Sequence, residues 1–299
     1  MAEPLSALVL GMPRTRTRVG AVLAALRPRQ WTKNLLVFAG LVFAAELGDA
    51  DRWTSAIVAF VAYCAASSAA YLLNDVRDAA SDRLHPVKCA RPVARGDLTQ
   101  GVALTTAAAL AGTALALTAL LGAGSLACML AFLALQLAYS LGLKAVEVVD
   151  VVTIAALFVL RAAAGAIAVD VRISPWLLLC TFLLALFLAL AKRRAELRLE
   201  GVRARPALAG YSTRVLDPLL GLVVATTIAA YAAYTLTANE SRWIALTVPL
   251  VVFGLVRYLS LLRRRGLGEE PEAVLVADLP LLLTVAVWAA ACAVAVALG

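Results

Sequence analysis

The sequence predicts an all-α polytopic membrane protein, and three observations carry that prediction. Of its 299 residues 63% are hydrophobic and only 15% charged, and the mean hydropathy is +0.90, well outside the balance of a soluble globular domain. Apolar stretches long enough to cross a hydrocarbon core recur from end to end. Alternating strands of about ten residues, the signature of a transmembrane β-barrel, are absent.

Taken in order, residues 1–18 carry Arg, Pro and Thr and read as a disordered basic N-terminus. The first 30 residues lack an apolar run followed by a small-residue cleavage site, so no cleaved signal peptide is expected. Residues 19–30 read as an interfacial helix leading to Trp31, an aromatic of the membrane-surface kind. Nine spans follow, at about 34–47, 53–73, 102–123, 126–141, 148–168, 175–190, 215–236, 243–262 and 279–298. The first is short against the roughly 20 residues that a spanning helix needs. An odd number of spans puts the termini on opposite sides of the bilayer.

The basic residues support that count. Twenty-two lysines and arginines fall on the N-terminal side of the nine-span arrangement, against Arg52, Arg172 and Arg242 on the other. This predicts a cytoplasmic N-terminus and an exterior C-terminus. The net charge of +8 therefore records topology, and no nucleic-acid partner is read from it. The five cysteines show no metal or disulfide spacing. No loop is long enough to bury a core of its own, so residues 19–299 read as a single transmembrane domain whose function sits in the bundle and its cytoplasmic mouth. The pattern is compatible with a homo-oligomer.

The loop and helix end at 74–97, NDVRDAASDRLHPVKCARPVARGD, carry far more charge than a turn needs. Asp75, Asp78 and Asp82 are spaced three and four apart. If the second span continues through them they share one helix face. Like charges gathered so closely repel, and a divalent cation would relieve the repulsion. Mg²⁺ fits, being hard, oxygen-loving and commonly shared between one or two carboxylates and substrate phosphates. Asn74 adds a neutral carbonyl ligand, so Asn74, Asp75, Asp78 and Asp82 are the expected metal set.

Arg83, His85, Lys88, Arg91 and Arg95 follow, with Pro86 and Pro92 restricting the backbone. Such a tract can clamp phosphoryl oxygens, which arginine does bidentately. His85 reads as a loop hydrogen-bonder more readily than as a catalyst. Tyr139 and Lys144 close the fourth span, and Glu147 and Asp150 open the fifth. Arg161 lies eleven residues beyond Asp150 on nearly the same face, about 16 Å deeper. An arginine at that depth calls for a carboxylate or a polar chamber. Lys192, Arg193, Arg194 and Glu196 leave the sixth span, and Asp217 stands alone beyond the next loop. Phosphate binding by Lys192 and Arg193, with Glu196 as a second metal ligand, fits these residues. Two acid-and-base clusters at one mouth are the layout of a metal-dependent diphosphate site whose lipid co-substrate arrives through the membrane.

On these residues the chain resembles the UbiA superfamily of intramembrane prenyltransferases over essentially its whole length. Asn74-Asp75-x-x-Asp78-x-x-x-Asp82, Arg91-Pro92 with Gly96, and Tyr139 with Lys144 carry the resemblance. Within the superfamily the chain is most similar to the decaprenyl-phosphate phosphoribosyltransferases. That similarity rests on Arg27-Pro-Arg-Gln-Trp31-Thr-Lys33-Asn34, His85-Pro-Val-Lys88, Val149-Asp150-Val, Leu160-Arg161 and Lys192-Arg193-Arg194-Ala-Glu196. Where most UbiA enzymes have a second DxxxD, this chain has Lys192, Arg193 and Glu196.

The resemblance implies a multi-pass enzyme of the bacterial plasma membrane with its active site on the cytoplasmic side. It implies Mg²⁺-dependent transfer of 5-phosphoribosyl from phosphoribosyl pyrophosphate to decaprenyl or another polyprenyl phosphate, for cell-wall arabinan synthesis. Asp75, Asp78, Asp82 and Lys192 are then the expected catalytic residues. Lys33, Arg83, Lys88, Arg91, Tyr139, Lys144, Arg161, Lys192, Arg193 and Glu196 are expected around the phosphates. The alternative is an ordinary UbiA prenyltransferase moving an isoprenyl diphosphate onto an aromatic or quinone-precursor acceptor. A transporter with gating charges is a more distant alternative, for which no internal repeat speaks.

Overall fold

The computed structural model describes residues 17–43, 48–85, 87–200, 211–237, 242–265 and 271–297, and among them every regular element is a helix. Helix α1 (Arg18–Leu26) is capped by Thr17, whose hydroxyl accepts the Gly20 N–H at 3.2 Å. It thus starts at the edge of the segment expected to be disordered, of which residues 1–16 lie outside the described residues. A 3₁₀ run (Pro28–Phe38) and the short α2 (Ala39–Phe43) follow. Next come α3 (Ala50–Asp82), α4 (Pro92–Arg95), α5 (Gln100–Leu120), α6 (Ala123–Leu141) and α7 (Val149–Ala168). The chain continues through α8 (Pro175–Glu200), α9 (Thr213–Thr237), α10 (Val248–Arg265), α11 (Pro271–Ala277) and α12 (Leu279–Ala297).

Seven of these segments are long and apolar enough to cross a membrane: Ala50–Asp82, Gln100–Leu120, Ala123–Leu141, Val149–Ala168, Pro175–Arg198, Thr213–Thr237 and Trp243–Arg263. Leu279–Ala295 is a shorter apolar helix of the same kind. These eight correspond to the second through ninth expected spans. The charged residues that open the fifth span and leave the sixth thus sit where the pattern put them, at helix ends. One boundary moves: the predicted span 102–123 stops at Leu120, because Gly122 at φ 111° makes a tight turn into α6 that only glycine adopts readily.

The expected first span is different in kind. Over 34–43 it is the end of the 3₁₀ run followed by α2, and residues 44–47 lie outside the described residues. An eleven-residue 3₁₀ run is long for that geometry, and side chains of α3 hold it. Trp31 Nε1 donates to Ser68 Oγ at 3.0 Å, and Asn34, fully buried, bonds Cys64 and Ser67 at 3.3 and 3.4 Å. Farther along, the same segment lies backbone to backbone on α7. A β-carbon on Gly165 would fall 1.9 Å from the Val37 carbonyl oxygen, and one on Gly40 would fall 2.7 Å from Ala166 Cα.

The chain divides into two compact units, one of Met1–Leu35 and Ile57–Leu133, the other of Leu36–Ala56 and Ala134–Gly299. The first has a core of small residues, Ala21, Ala25, Ala69, Ala79 and Ala103, with Leu72, Val93 and Leu98 between them. Small side chains let helices approach closely where lipid supplies no hydrophobic drive. The second is built on bulkier residues from α8, α9 and α10, among them Phe187, Leu190, Leu216, Leu220 and Leu262, with Phe187 edge-on to Tyr258 at 5.4 Å.

Because the added methyl of Gly165→Ala would meet backbone and not a side chain that can turn away, its cost should exceed the ~1–3 kcal/mol usual for overpacking. Fluorescence-detected size exclusion should show little monodisperse protein for Gly165→Ala and wild-type behaviour for Gly112→Ala, where a β-carbon meets open space. Equal profiles for the two would mean that the close approach at Val37 is not a constraint.

Candidate active site

Helix α3 does continue through the aspartates. Asp75 and Asp82 are 1% and 4% exposed, and Ala79 between them is buried, so the three share the inward face. Asp78 and Asn74 are half-buried beside them. Two arginines from elsewhere in the first unit answer these carboxylates. Arg91 Nη1 lies 2.7 Å from Asp82 Oδ2 and 3.3 Å from Asp75 Oδ1, bridging the pair. Arg27 Nη2 donates to Asp75 Oδ1 at 2.5 Å, with its guanidinium over the Tyr71 ring at 4.8 Å. The other oxygen of Asp75, Oδ2, is buried without a hydrogen-bond partner. Among the described residues no three of His, Cys, Asp and Glu converge into a group that could hold a metal by themselves.

Local chemistry delivers each arginine. Arg27 terminates α1 in the left-handed conformation, φ 55°, before Pro28, and that reversal turns its side chain toward α3. Arg91 is extended at φ −62°, ψ 140°, the backbone that a following proline favours, and Pro92 then opens α4. Gly96 at φ 88° ends α4, the Leu98 N–H returns to the Pro92 carbonyl, and Val93 and Leu98 bury against α1 and α3. Arg83, exposed, donates to the Ala94 carbonyl at 3.1 Å and so ties the loop shut. His85 is a backbone clamp: its Nδ1 accepts the Val87 and Lys88 N–H groups at 3.2 and 3.3 Å. Lys88 is half-buried at the start of a 3₁₀ turn, and Lys33, on the Pro28–Phe38 run, donates to Gln30 at 2.5 Å.

In the second unit a charged cluster joins the ends of four helices, α7, α8, α9 and α10. Asp150, in the first turn of α7 and fully buried, lies 2.7 Å from Arg193 Nε, a contact of charge and not an aligned hydrogen bond. Arg193, 1% exposed, also pairs with Glu196 one turn on. Tyr211 donates its phenolic hydrogen to Asp150 Oδ1 at 2.9 Å and accepts the Val148 N–H at 2.8 Å. Arg194 pairs with Asp217 and caps the Leu262 carbonyl. Lys192 is half-buried beside them on α8, while Tyr139 ends α6 and Lys144 sits on the 3₁₀ turn Leu143–Ala145.

Three residues have partners not expected from the sequence. Of the two needs stated for Arg161, a carboxylate or a polar chamber, Asp150 does not supply the first: it lies about 16 Å along the same helix and is taken by Arg193 and Tyr211. Arg161, 4% exposed, donates to its own helix at the Leu157 carbonyl, 2.9 Å, and lies over Phe158 at 5.3 Å. Glu196 is engaged by Arg193, i,i+3. Asp217, isolated in sequence, is half of the Arg194 pair. Arg27 and Tyr211 are members of the two clusters without being among the expected site residues. Arg27 lies 48 residues from Asp75, and no local spacing announces that pairing.

The sequence matches the UbiA prenyltransferase family over residues 34–277. The chain belongs to that family. Its seven long apolar helices and its family make it a multi-pass membrane protein. It is 34% identical to the decaprenyl-phosphate phosphoribosyltransferase of Mycolicibacterium smegmatis, over 90% of each chain. Its identity to the enzyme of that name from Mycobacterium tuberculosis is 35%, over 94% of this chain and 96% of the relative. The fold is shared with a UbiA homolog from Archaeoglobus fulgidus bound to DMAPP and Mg²⁺, at a TM-score of 0.74 and 21% identity, covering 92% of this chain and 99% of that one. An apo UbiA homolog from Aeropyrum pernix K1 aligns at 0.68 and 17% identity, covering 88% and 97%.

Burial pushes the Tyr211 phenol up from 10.0 to about 12; the Val148 N–H opposes this and the Asp150 charge adds to it. A folded-state value above the unfolded one means that the stabilising effect is whole below pH 10.0 and is lost as pH rises through about 12. Wild type should therefore be more stable than Tyr211→Phe by a constant margin up to about pH 10, and the margin should close toward pH 12. Denaturant unfolding across that range checks it; a margin independent of pH would refute the assignment.

Proposed function

We propose that this UbiA-family chain transfers the 5-phosphoribosyl group of phosphoribosyl pyrophosphate to decaprenyl or another polyprenyl phosphate, releasing diphosphate. The observation that carries the reading is near-full-length similarity, at 33–35% identity, to actinobacterial relatives named decaprenyl-phosphate phosphoribosyltransferase. The charge pattern supports it. An isoprenyl diphosphate enzyme needs carboxylates at both ends of its site, whereas a donor with an added 5-phosphate and an anionic acceptor call for fixed cations. The end of α8 carries Lys192, Arg193 and Arg194 where a second acidic motif would stand.

The residues of α3 fit a divalent cation. Asp75 Oδ2 is a buried, unpartnered carboxylate oxygen, with half-buried Asp78 and Asn74 on the same helix end. One or two carboxylates plus substrate phosphates are the usual protein share of a magnesium site. Asp75, with Asp78 and Asn74 beside it, would hold Mg²⁺, which neutralises charge on a diphosphate leaving group, while Asp82, expected in the same set, is engaged by Arg91. Arg27 and Arg91 hold Asp75 and Asp82 in place and keep the cluster from carrying uncompensated negative charge. Lys88, Lys144 and Lys192 would bind phosphoryl oxygens, and Lys33, Arg83, Tyr139 and Arg161 are the further candidates for contact with the substrates. Arg193 and Glu196 position the others.

The transfer needs no strong general base. The attacking oxygen of the lipid phosphate is already anionic near neutral pH. It forms its bond to ribosyl C1 as the bond from C1 to the diphosphate oxygen breaks, with inversion, and the electron pair leaves with the diphosphate. The N-terminus and the site are on the cytoplasmic side of a bacterial plasma membrane, the C-terminus outside, as the 22 basic residues on one side and three on the other support.

Asp75→Asn and Asp78→Asn should each lower transfer at least ~100-fold in membranes supplied with labelled phosphoribosyl pyrophosphate, polyprenyl phosphate and Mg²⁺, with expression and monodispersity retained. Near wild-type rates in both would remove the metal assignment. Isoprenyl diphosphate and 4-hydroxybenzoate offered in parallel should give no product; prenylated product without phosphoribosyl transfer would establish the ordinary prenyltransferase reading instead.

A further inference from the structure

Val148 closes a turn that its own chemistry resists. Its φ of 62° and ψ of −46°, with the Val149 N–H on the Glu147 carbonyl at 2.6 Å, make a γ-turn of the strained hand. For a β-branched residue a positive φ is an outlier. The valine side chain is 60% exposed, so packing does not hold it there. The phenol of Tyr211, 8% exposed, does: it accepts the Val148 N–H and donates to Asp150, which faces Arg193.

The turn is rigidly continuous with Lys144. The Ala145 and Val146 N–H groups bond back to Gly142 and Leu143 at 2.9 and 3.2 Å, and the Asp150 N–H bonds to the Val146 carbonyl at 3.0 Å. A shift at Val148 is therefore carried into Leu143–Ala145. We infer that Tyr211 is a positioning residue, whose hydroxyl holds the strained Val148 turn and thereby fixes Lys144 for phosphate binding. Strain kept at one backbone point by a buried side chain is the arrangement that pre-organises a site. The role given to Lys144 rests on the phosphoribosyl-transfer reading; the holding of the turn does not.

The test uses the full chain in lipid nanodiscs and reads hydrogen exchange of residues 142–150 without substrate, then donor KM and kcat. Tyr211→Phe should speed exchange of the Ala145, Val146 and Asp150 amides about tenfold. It should raise donor KM about tenfold with kcat within about twofold. Val148→Gly makes the turn unstrained, so in that background Tyr211→Phe should change both readouts by less than about threefold.

Unchanged exchange in Tyr211→Phe, or an equal acceleration with Gly at 148, overturns the inference. Altered exchange with an unaltered donor KM overturns the link to Lys144. Absence of phosphoribosyl transfer in wild type sinks the functional reading alone, since exchange still decides the turn. If Tyr211→Phe does not fold, the Val148→Gly double variant must; its failure too would count against the inference.

Discussion

Asp75 is a carboxylate buried to 1% exposure in an apolar helix, and keeping it charged there constrains everything packed around it. A lone carboxylate in such surroundings gives up its charge or recruits positive partners. This chain recruits two arginines, from either side along the sequence, and shares one of them with Asp82. The left-handed end of α1, the proline after Arg91 and the glycine after α4 all serve to deliver those guanidinium groups. One oxygen of Asp75 is left over. Stability would be served as well by satisfying it or by an apolar residue, so its retention points to a ligand.

The second unit solves a similar problem with the signs redistributed. Arg193 is the buried centre there, answered by Asp150 and Glu196, and Tyr211 completes the hydrogen bonding of Asp150. Lys192 lies half-buried on the same turn of α8 and is, with Lys144, a cation that the proposed function gives to phosphate. A row of basic residues thus divides, within one helical turn, into the lysine proposed for substrate and arginines paired within the protein: Arg193 inward, Arg194 tying α8 to Asp217 and to the Leu262 carbonyl of α10. The lysine keeps a flexible point charge, while the planar guanidinium is suited to fixed pairings.

Much of this was legible beforehand, and the parts that were not share a cause. Hydropathy placed eight apolar segments on helices, two of which, α3 and α8, run about three turns beyond the expected span into the charged ends, because burying backbone in lipid leaves helices little alternative. The three-and-four spacing placed Asp75 and Asp82 on one face for the same reason. Period and spacing act within an element. The pairing of Arg27 with Asp75, of Arg193 with Asp150 and of Arg194 with Asp217 is set between elements, where period and spacing say nothing. The first span departs in secondary structure for another reason: its apolar composition is that of a helix, while over its described residues the close backbone approach at Gly40 and Gly165 sets its path.

The most direct test of the central claim is an experimental structure of the chain with phosphoribosyl pyrophosphate and Mn²⁺ in place of Mg²⁺, read by its anomalous signal. The account predicts manganese against Asp75, between its free oxygen and the donor's diphosphate, with Arg27 and Arg91 still on the carboxylates. Manganese and diphosphate bound away from α3, with Asp75 satisfied by protein alone, would contradict it.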